Sequence, residues 1–201
     1  MPRSVDPQRH GARRAVIVAA AAAQFAQLGY DRATTAGICR AAGISSGTFF
    51  HYFPSKLDVL VAVLTTELES LRESLEQVAR EASGLAAVLA HAARIEAEMA
   101  DDSYVTFVNG LLGVVGEPEV AAALAAESEM VERFLAEHLG RGRRDGDVRE
   151  DVDLADLVTW VGWLVDGASQ GALQRPTGAA SPLAAAILAL VATRPGVLEP
   201  D

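Results

Sequence analysis

The stretch Thr34–Lys56, TTAGICRAAGISSGTFFHYFPSK, decides how the chain is read. Thr34 or Thr35 can cap a helix whose apolar points are Ile38 and Ala41 or Ala42, and Gly43 ends it with a residue free to take positive φ. Ser45 can cap the next helix, with Ser46, Gly47 and Thr48 in its first turn and Phe49, Phe50, Tyr52 and Phe53 as an aromatic anchor. Pro54-Ser55-Lys56 opens a third helix with Ser55 as N-cap. Two short helices joined by a glycine turn, with another starting at once, make a helix-turn-helix.

The small and hydroxylated residues of this block suit a phosphate backbone. A helix N-terminus offers free N–H groups and partial positive charge, so the ends near Thr35, Ser45 and Ser55 can each seat a phosphate oxygen. Gly47 permits close approach. Ser46 and Thr48 can offer hydroxyls to base edges or phosphates, and Thr48 can present its methyl to a thymine. His51 and Tyr52 extend the polar rim, and Lys56 adds a mobile positive charge.

From about Arg13 to Leu64 the chain resembles the DNA-binding domain of the TetR family of bacterial transcriptional regulators. The resemblance rests on the amphipathic first helix with Phe25 and Gly29-Tyr30, the Thr-Thr pair, Ala42-Gly43, and the Gly47-Thr48 to Lys56 stretch. It implies that the helix from about Ser45 to Phe50 is the recognition helix and that Thr35, Tyr52 and Lys56 hold phosphates. Three positions depart from the family pattern: Ser46 stands where many relatives carry Lys, Phe50 where Tyr is common, and Leu57 where an acidic residue is usual. Phe50 has no hydroxyl, so its contact is apolar and the phosphate role falls more heavily on Tyr52 and Lys56. The DNA-binding candidates are therefore Thr34, Thr35, Ser45, Ser46, Gly47, Thr48, Phe50, His51, Tyr52 and Lys56.

Charge is distributed in keeping with that reading. The chain of 201 residues has a net charge of −10. Residues 1–60 nevertheless hold seven Arg and Lys against three Asp, a net charge of +4, leaving −14 for the rest. An acidic body stays off phosphates and limits non-specific binding. The arm before the first helix, with Pro2, Pro7 and Gly11, is expected to be disordered when free; it can track a minor groove, but a solvated tail is the simpler reading. The lone Cys39 excludes an intrachain disulfide and reads as a small buried residue of the second helix. No signal peptide is expected, because the Ala-rich stretch Val16–Ala23 follows arginines but continues amphipathically into Gln24-Phe25, and no membrane span, because the apolar run Leu154–Leu173 is broken by Asp156, Asp166, Ser169 and Gln170; the expected location is the cytoplasm.

The rest of the chain reads as helix nearly throughout. Ile17, Ala21, Phe25 and Leu28 line one face of the first helix, which Gly29 stops. After Lys56 a long helix repeats Leu57, Leu60, Leu64, Leu68, Leu71, Leu75 and Val78, and should join the reading head to the body rigidly. Ser83-Gly84 starts a fifth helix, Asp101-Asp102-Ser103 a sixth, and Pro118 a seventh reaching Leu139. Gly110, Gly113 and Gly116 weaken the sixth helix and suggest close packing, distortion or room for a ligand. Gly140–Gly146 reads as a loop or turn. Asp151 or Asp153 caps an eighth helix and Pro182 opens a ninth.

In the body, Met99, Tyr104, Phe107, Asn109, Leu111, Met130, Phe134 and Trp160 are the candidates for lining a small-molecule site, since pockets are mostly apolar with a few polar groups. The last two helices suit a four-helix interface between two chains, with Trp163, Gly167, Gly171, Leu183, Ile187 and Val191 as its candidates. The family resemblance implies the same homodimer.

The expected protein is all-α: an N-terminal three-helix head, residues 1–55 with the arm, followed by an effector-binding and dimerisation body, 56–201, about nine helices in all. Its expected partners are a double-stranded DNA operator, an unidentified small apolar or amphipathic effector and a second copy; no cofactor or metal is called for. A repressor released by effector is the first reading, and a ligand-dependent corepressor or activator of the same fold is the alternative. A helical enzyme is disfavoured because no His has a Glu three residues before it, and His91 and His138 read as surface residues. An adaptor without DNA leaves the Thr34–Lys56 block unexplained.

Overall fold

The structure, a computed structural model, describes residues 7–172 and 182–193. Among them nine helices follow one another: α1 (Pro7–Arg32), α2 (Thr35–Ala42), α3 (Ser46–Tyr52), α4 (Lys56–Glu81), α5 (Gly84–Met99), α6 (Asp102–Leu111), α7 (Pro118–Asp145), α8 (Leu154–Ala172) and α9 (Leu183–Val191). The fold is all-α. The one β feature among these residues is an isolated antiparallel bridge between Val148 and Ala192, where Arg149 N–H donates to the Val191 oxygen at 2.9 Å.

The helix limits follow from their capping residues. Thr34 Oγ1 accepts the Gly37 N–H at 3.0 Å and caps α2, which Gly43 ends at φ 63°. Ser45 Oγ accepts the Thr48 N–H at 3.1 Å and caps α3. Ser55 Oγ accepts the Asp58 N–H at 3.2 Å and donates to the Asp58 carboxylate at 2.6 Å, fixing the start of α4. Asp153, not Asp151, caps α8, through the Ala155 N–H at 2.8 Å. Each such cap stabilises its helix by about 1 kcal/mol.

Two compact units result, Met1–Glu69 with Ser103–Ala125, and Ser70–Asp102 with Ala126–Asp201. In the first, Ile17, Ala21 and Phe25 of α1, Ile38 of α2, Phe49 of α3 and Val59, Leu60 and Val63 of α4 form one sealed core, which Leu111 and Val120 join. Cys39 is buried beside them. Gly29 takes φ 75° and kinks α1, so its last turn is offset from the long amphipathic part. Onto this kink α6 packs backbone to backbone: a Cβ added at Gly110 would lie 2.5 Å from the Tyr30 nitrogen. Of the three glycines that weaken the α6 region, Gly110 is thus a contact requirement, and regular helix stops at Leu111, one residue later.

The second unit buries Ala87, Val88 and Ala92 of α5, Leu135 and Leu139 of α7, Leu157 and Val161 of α8, and Leu183, Ile187 and Val191 of α9. Residues 140–145 are helix, because α7 continues to Asp145, and the expected turn is confined to Gly146 at φ 83°. The glycines there admit close neighbours: Gly140 lies under Leu154, and a Cβ at Gly142 would be 2.6 Å from a Val148 methyl. Arg143 of the same segment holds the next turn by donating to the carbonyls of Arg149 and Val152, while Arg141 pairs back along α7 with Glu137 at 2.5 Å. His91 and His138 are not surface residues either; both are buried, on the inward faces of α5 and α7.

Candidate functional site

The expected DNA-reading face is built on α3. The Ser45 cap sets its first turn, and the Ser45 and Thr48 hydroxyls share a hydrogen bond of 3.0 Å, so both side chains are already oriented by each other. Phe49 and Phe53 point inward, fully or nearly buried, and fix the helix on the core. Ser46, Gly47, Phe50 and His51 are exposed, Phe50 at 52 %. Thr48 and Tyr52 are half-buried at the edges of that face, Thr34 is exposed beside it in sequence, and Thr35 is half-buried.

Lys56 is held, not mobile. Its Nζ donates to the carbonyl oxygens of Tyr30 at 2.7 Å and Ala33 at 3.1 Å and lies 4.0 Å from the centre of the Tyr30 ring. The α1 end supplies these carbonyls because helix C-termini leave them without intrahelical partners. An ammonium has three donors, so one remains beyond these two. Burial, then the charges of Glu117 and Asp31, push the Tyr30 phenol above its ordinary range.

The start of α1 reaches the same face, which the sequence reading of a disordered arm did not foresee. Helix begins at Pro7, a residue suited to the first turn, although residues 1–6 lie outside the described residues. His10 stacks on Tyr52 with ring centres 4.5 Å apart and sits 6.2 Å from His51, while Arg14 lies 5.1 Å from the centre of the Phe53 ring. The available signal was the i, i+4 spacing of His10 and Arg14 with the apolar residue Val18 below them.

The candidate effector residues do not fall in one unit. Tyr104, Phe107, Asn109 and Leu111 belong to the first, where Phe107 and Leu111 pack on the head's core and Asn109 is exposed. Met99, Met130, Phe134 and Trp160 belong to the second, with Met99 and Phe134 buried and Met130 and Trp160 half-buried. Phe134 touches two residues that the sequence reading placed at the surface: its ring centre is 5.5 Å from that of His91 and 4.4 Å from that of His138.

Among the interface candidates, Trp163 is 66 % exposed and Gly167 is exposed with open space around it. Gly171 is half-buried. Leu183, Ile187 and Val191 turn inward with almost no exposed surface, so they have none to give a second chain. The i, i+4, i+8 stripe they form packs on α5 and α8, and the outward residues of α9 include Leu188. Trp160, Trp163, Leu164, Ala186 and Leu190 line an open apolar groove of about 330 Å³ on the α8–α9 surface.

The head that this geometry describes has known relatives. Residues 17–63 match the model of the bacterial regulatory proteins, tetR family. The HTH-type transcriptional repressor Rv1474c of Mycobacterium tuberculosis is 30% identical over 169 residues, 83% of this chain and 85% of that protein. The chain belongs to the TetR family. Among solved structures, a TetR-family transcriptional regulator from Agrobacterium tumefaciens superimposes with a TM-score of 0.75 at 19% identity, covering 94% of this chain and 100% of that one. A putative transcriptional regulator from Saccharomonospora viridis in complex with choline superimposes with a TM-score of 0.77 at 18% identity, covering 90% and 98%. This TetR-family chain is accordingly a transcriptional regulator with a helix-turn-helix head, and its relatives are not enzymes. No helix of the described residues is long and apolar enough to cross a membrane, and no group of three or more His, Cys, Asp or Glu there could hold a metal ion.

Proposed function

We propose that two copies of this TetR-family chain repress transcription from a pseudo-palindromic operator and leave it when a small apolar or amphipathic effector binds the body. The observation that carries the reading is the capped, exposed first turn of α3. Ser46 and Gly47 stand at a helix N-terminus with Phe50 and His51 beside them, and the head is the basic part of an acidic chain. Residues 1–55 serve as the DNA head and 56–201 as the effector and dimer body.

Phosphates are taken by the N-termini of α2, α3 and α4, through Thr34, Thr35, Ser45 and Ser55, with Tyr52 and the remaining donor of Lys56. Bases are read by Ser46, Thr48, Phe50 and His51 across Gly47. Phe50, exposed and apolar, suits a thymine methyl. The dimer forms through the outward face of α8 and α9, where Trp163 and the groove beside it leave apolar surface uncovered. A two-fold dimer then presents two α3 helices to half-sites roughly 34 to 36 Å apart, about one helical turn of DNA. Effector binding alters that spacing, with a coupling of about 1 to 3 kcal/mol. Repression, not activation, is favoured by the curated relative, which is named a repressor.

Selecting fragments of the source genome that the purified protein retains tests this reading. A recovered two-fold symmetric motif whose base preference shifts in Thr48→Ala and Phe50→Ala supports it. A motif unchanged by both substitutions removes α3 from base reading.

A further inference from the structure

His91 on α5 and His138 on α7 both meet the Phe134 ring, edge-on at 5.5 Å and tilted at 4.4 Å. Both imidazoles are inside the protein, with 4% and 1% of their surface exposed. Yet both ring nitrogens of His91 and Nδ1 of His138 are sealed with no hydrogen-bond partner, as is Ser74 Oγ on α4. Three stranded nitrogens around one aromatic ring are an arrangement that folding alone disfavours, since buried polar groups are otherwise almost always paired. A phenylalanine or leucine at either position would fill comparable space without that cost.

The surroundings state what could complete them. Burial, and then the charge of Arg94, hold the His91 pKa down at about 4, so at neutral pH the ring is uncharged and offers one N–H donor and one bare acceptor. His138 is lowered in the same direction, chiefly by burial. A hydroxyl, which donates and accepts at once, can pair with one nitrogen of each ring, donating to a bare acceptor on one and accepting the N–H of the other; a permanently charged head cannot do both. Next along the same helix faces come apolar, flexible side chains: Met99 lies two turns beyond His91 on α5, and Met130 lies one turn before Phe134 on α7.

We propose that His91 and His138 form the polar end of the effector site, binding the hydroxyl head of an otherwise apolar, uncharged molecule whose body lies along Phe134, Met99 and Met130. This rests on the reading of the chain as an effector-controlled regulator and adds to it the chemical class of the effector. Because the stranded nitrogens are sealed, the molecule enters only when α5 and α7 part around Phe134. It therefore binds an opened form of the body in preference to the closed one, which is the differential affinity that any ligand-driven change requires.

The test uses the full-length protein with 1-octanol and, at matched concentration, 1-fluorooctane, which has the same chain and no donor. Octanol is expected to raise the melting temperature by several degrees and fluorooctane to leave it unchanged. His91→Phe and, separately, His138→Phe are expected to raise the melting temperature of the free protein and to abolish the octanol shift. The proposal is overturned if octanol leaves the wild-type melting temperature unmoved, if fluorooctane raises it as much as octanol does, or if either variant keeps the full octanol shift. Retention of genomic DNA fragments by the wild-type protein without alcohol is scored separately, so a negative octanol result and a failure to bind DNA are distinguishable.

Discussion

The Lys56 ammonium is bound to the carbonyl oxygen of Tyr30, 2.7 Å away, and lies over the ring of the same residue at 4.0 Å from its centre. One side chain thus ties the first residue of α4 to the kinked end of α1. Lys56→Met keeps the stem and removes the charge. It should cost about 1 to 2 kcal/mol of stability, in the range of a partly exposed hydrogen bond to a charged group. It should also weaken binding to every duplex alike and lower the salt slope by about one. Urea denaturation and DNA titrations at several salt concentrations check both; an unchanged denaturation midpoint would mean the tie carries no stability.

Gly110 faces the Tyr30 backbone nitrogen so closely that a Cβ would stand 2.5 Å from it, and the obstacle is main chain that cannot rotate away. Gly110→Ala should destabilise the head by about 1 to 3 kcal/mol, the usual cost of overpacking. Gly11→Ala provides the contrast, since nothing lies within 4 Å of its Cβ position in α1 and alanine favours helix by about 0.5 to 1 kcal/mol. Thermal melts of the two variants should move in opposite directions.

Acid should loosen the second unit before it affects the carboxylates of the surface. The unfolded chain takes up the His91 proton near 6.5, whereas the folded one does so only near 4, so between these values the unfolded state holds more protons. Stability is therefore full above pH 6.5 and falls as the pH drops towards 4, by up to about 3 kcal/mol from this residue. His138 adds in the same sense. Urea midpoints from pH 7.5 down to 4.5 should decline in the wild type and decline less in His91→Phe; equal slopes would remove His91 as the cause.

Trp163 should be the residue on which association depends. It is 66 % exposed in the single chain, so Trp163→Glu leaves each protomer's core intact while placing a charge in the proposed interface. Sedimentation should show monomers for the variant and dimers for the wild type. A dimeric variant would move the interface away from the α8–α9 face.

The head was legible because its signals are local: Thr34, Ser45, Gly43 and Ser55 mark helix limits within three or four residues, and the caps stand where the sequence puts them. What failed in the body depends on long-range contact. Gly140 and Gly142 read as breakers but are spacers under Leu154 and Val148, a role visible only once α7 and the following turn are in place. His91 and His138 read as polar and therefore outer, although each lies next to apolar residues of a buried face, Ala92 and Leu139. Leu183, Ile187 and Val191 read as interface candidates, but they are buried within their own chain, and an apolar pattern does not say whether its own chain or a second one covers it.

The most direct measurement is competition for duplex DNA at fixed salt, with the symmetric fragment recovered from the source genome set against random duplex. The account predicts a preference of at least about a thousandfold for the fragment, bound by two protomers. Equal affinity for the fragment and random duplex, at every salt concentration tried, would contradict it.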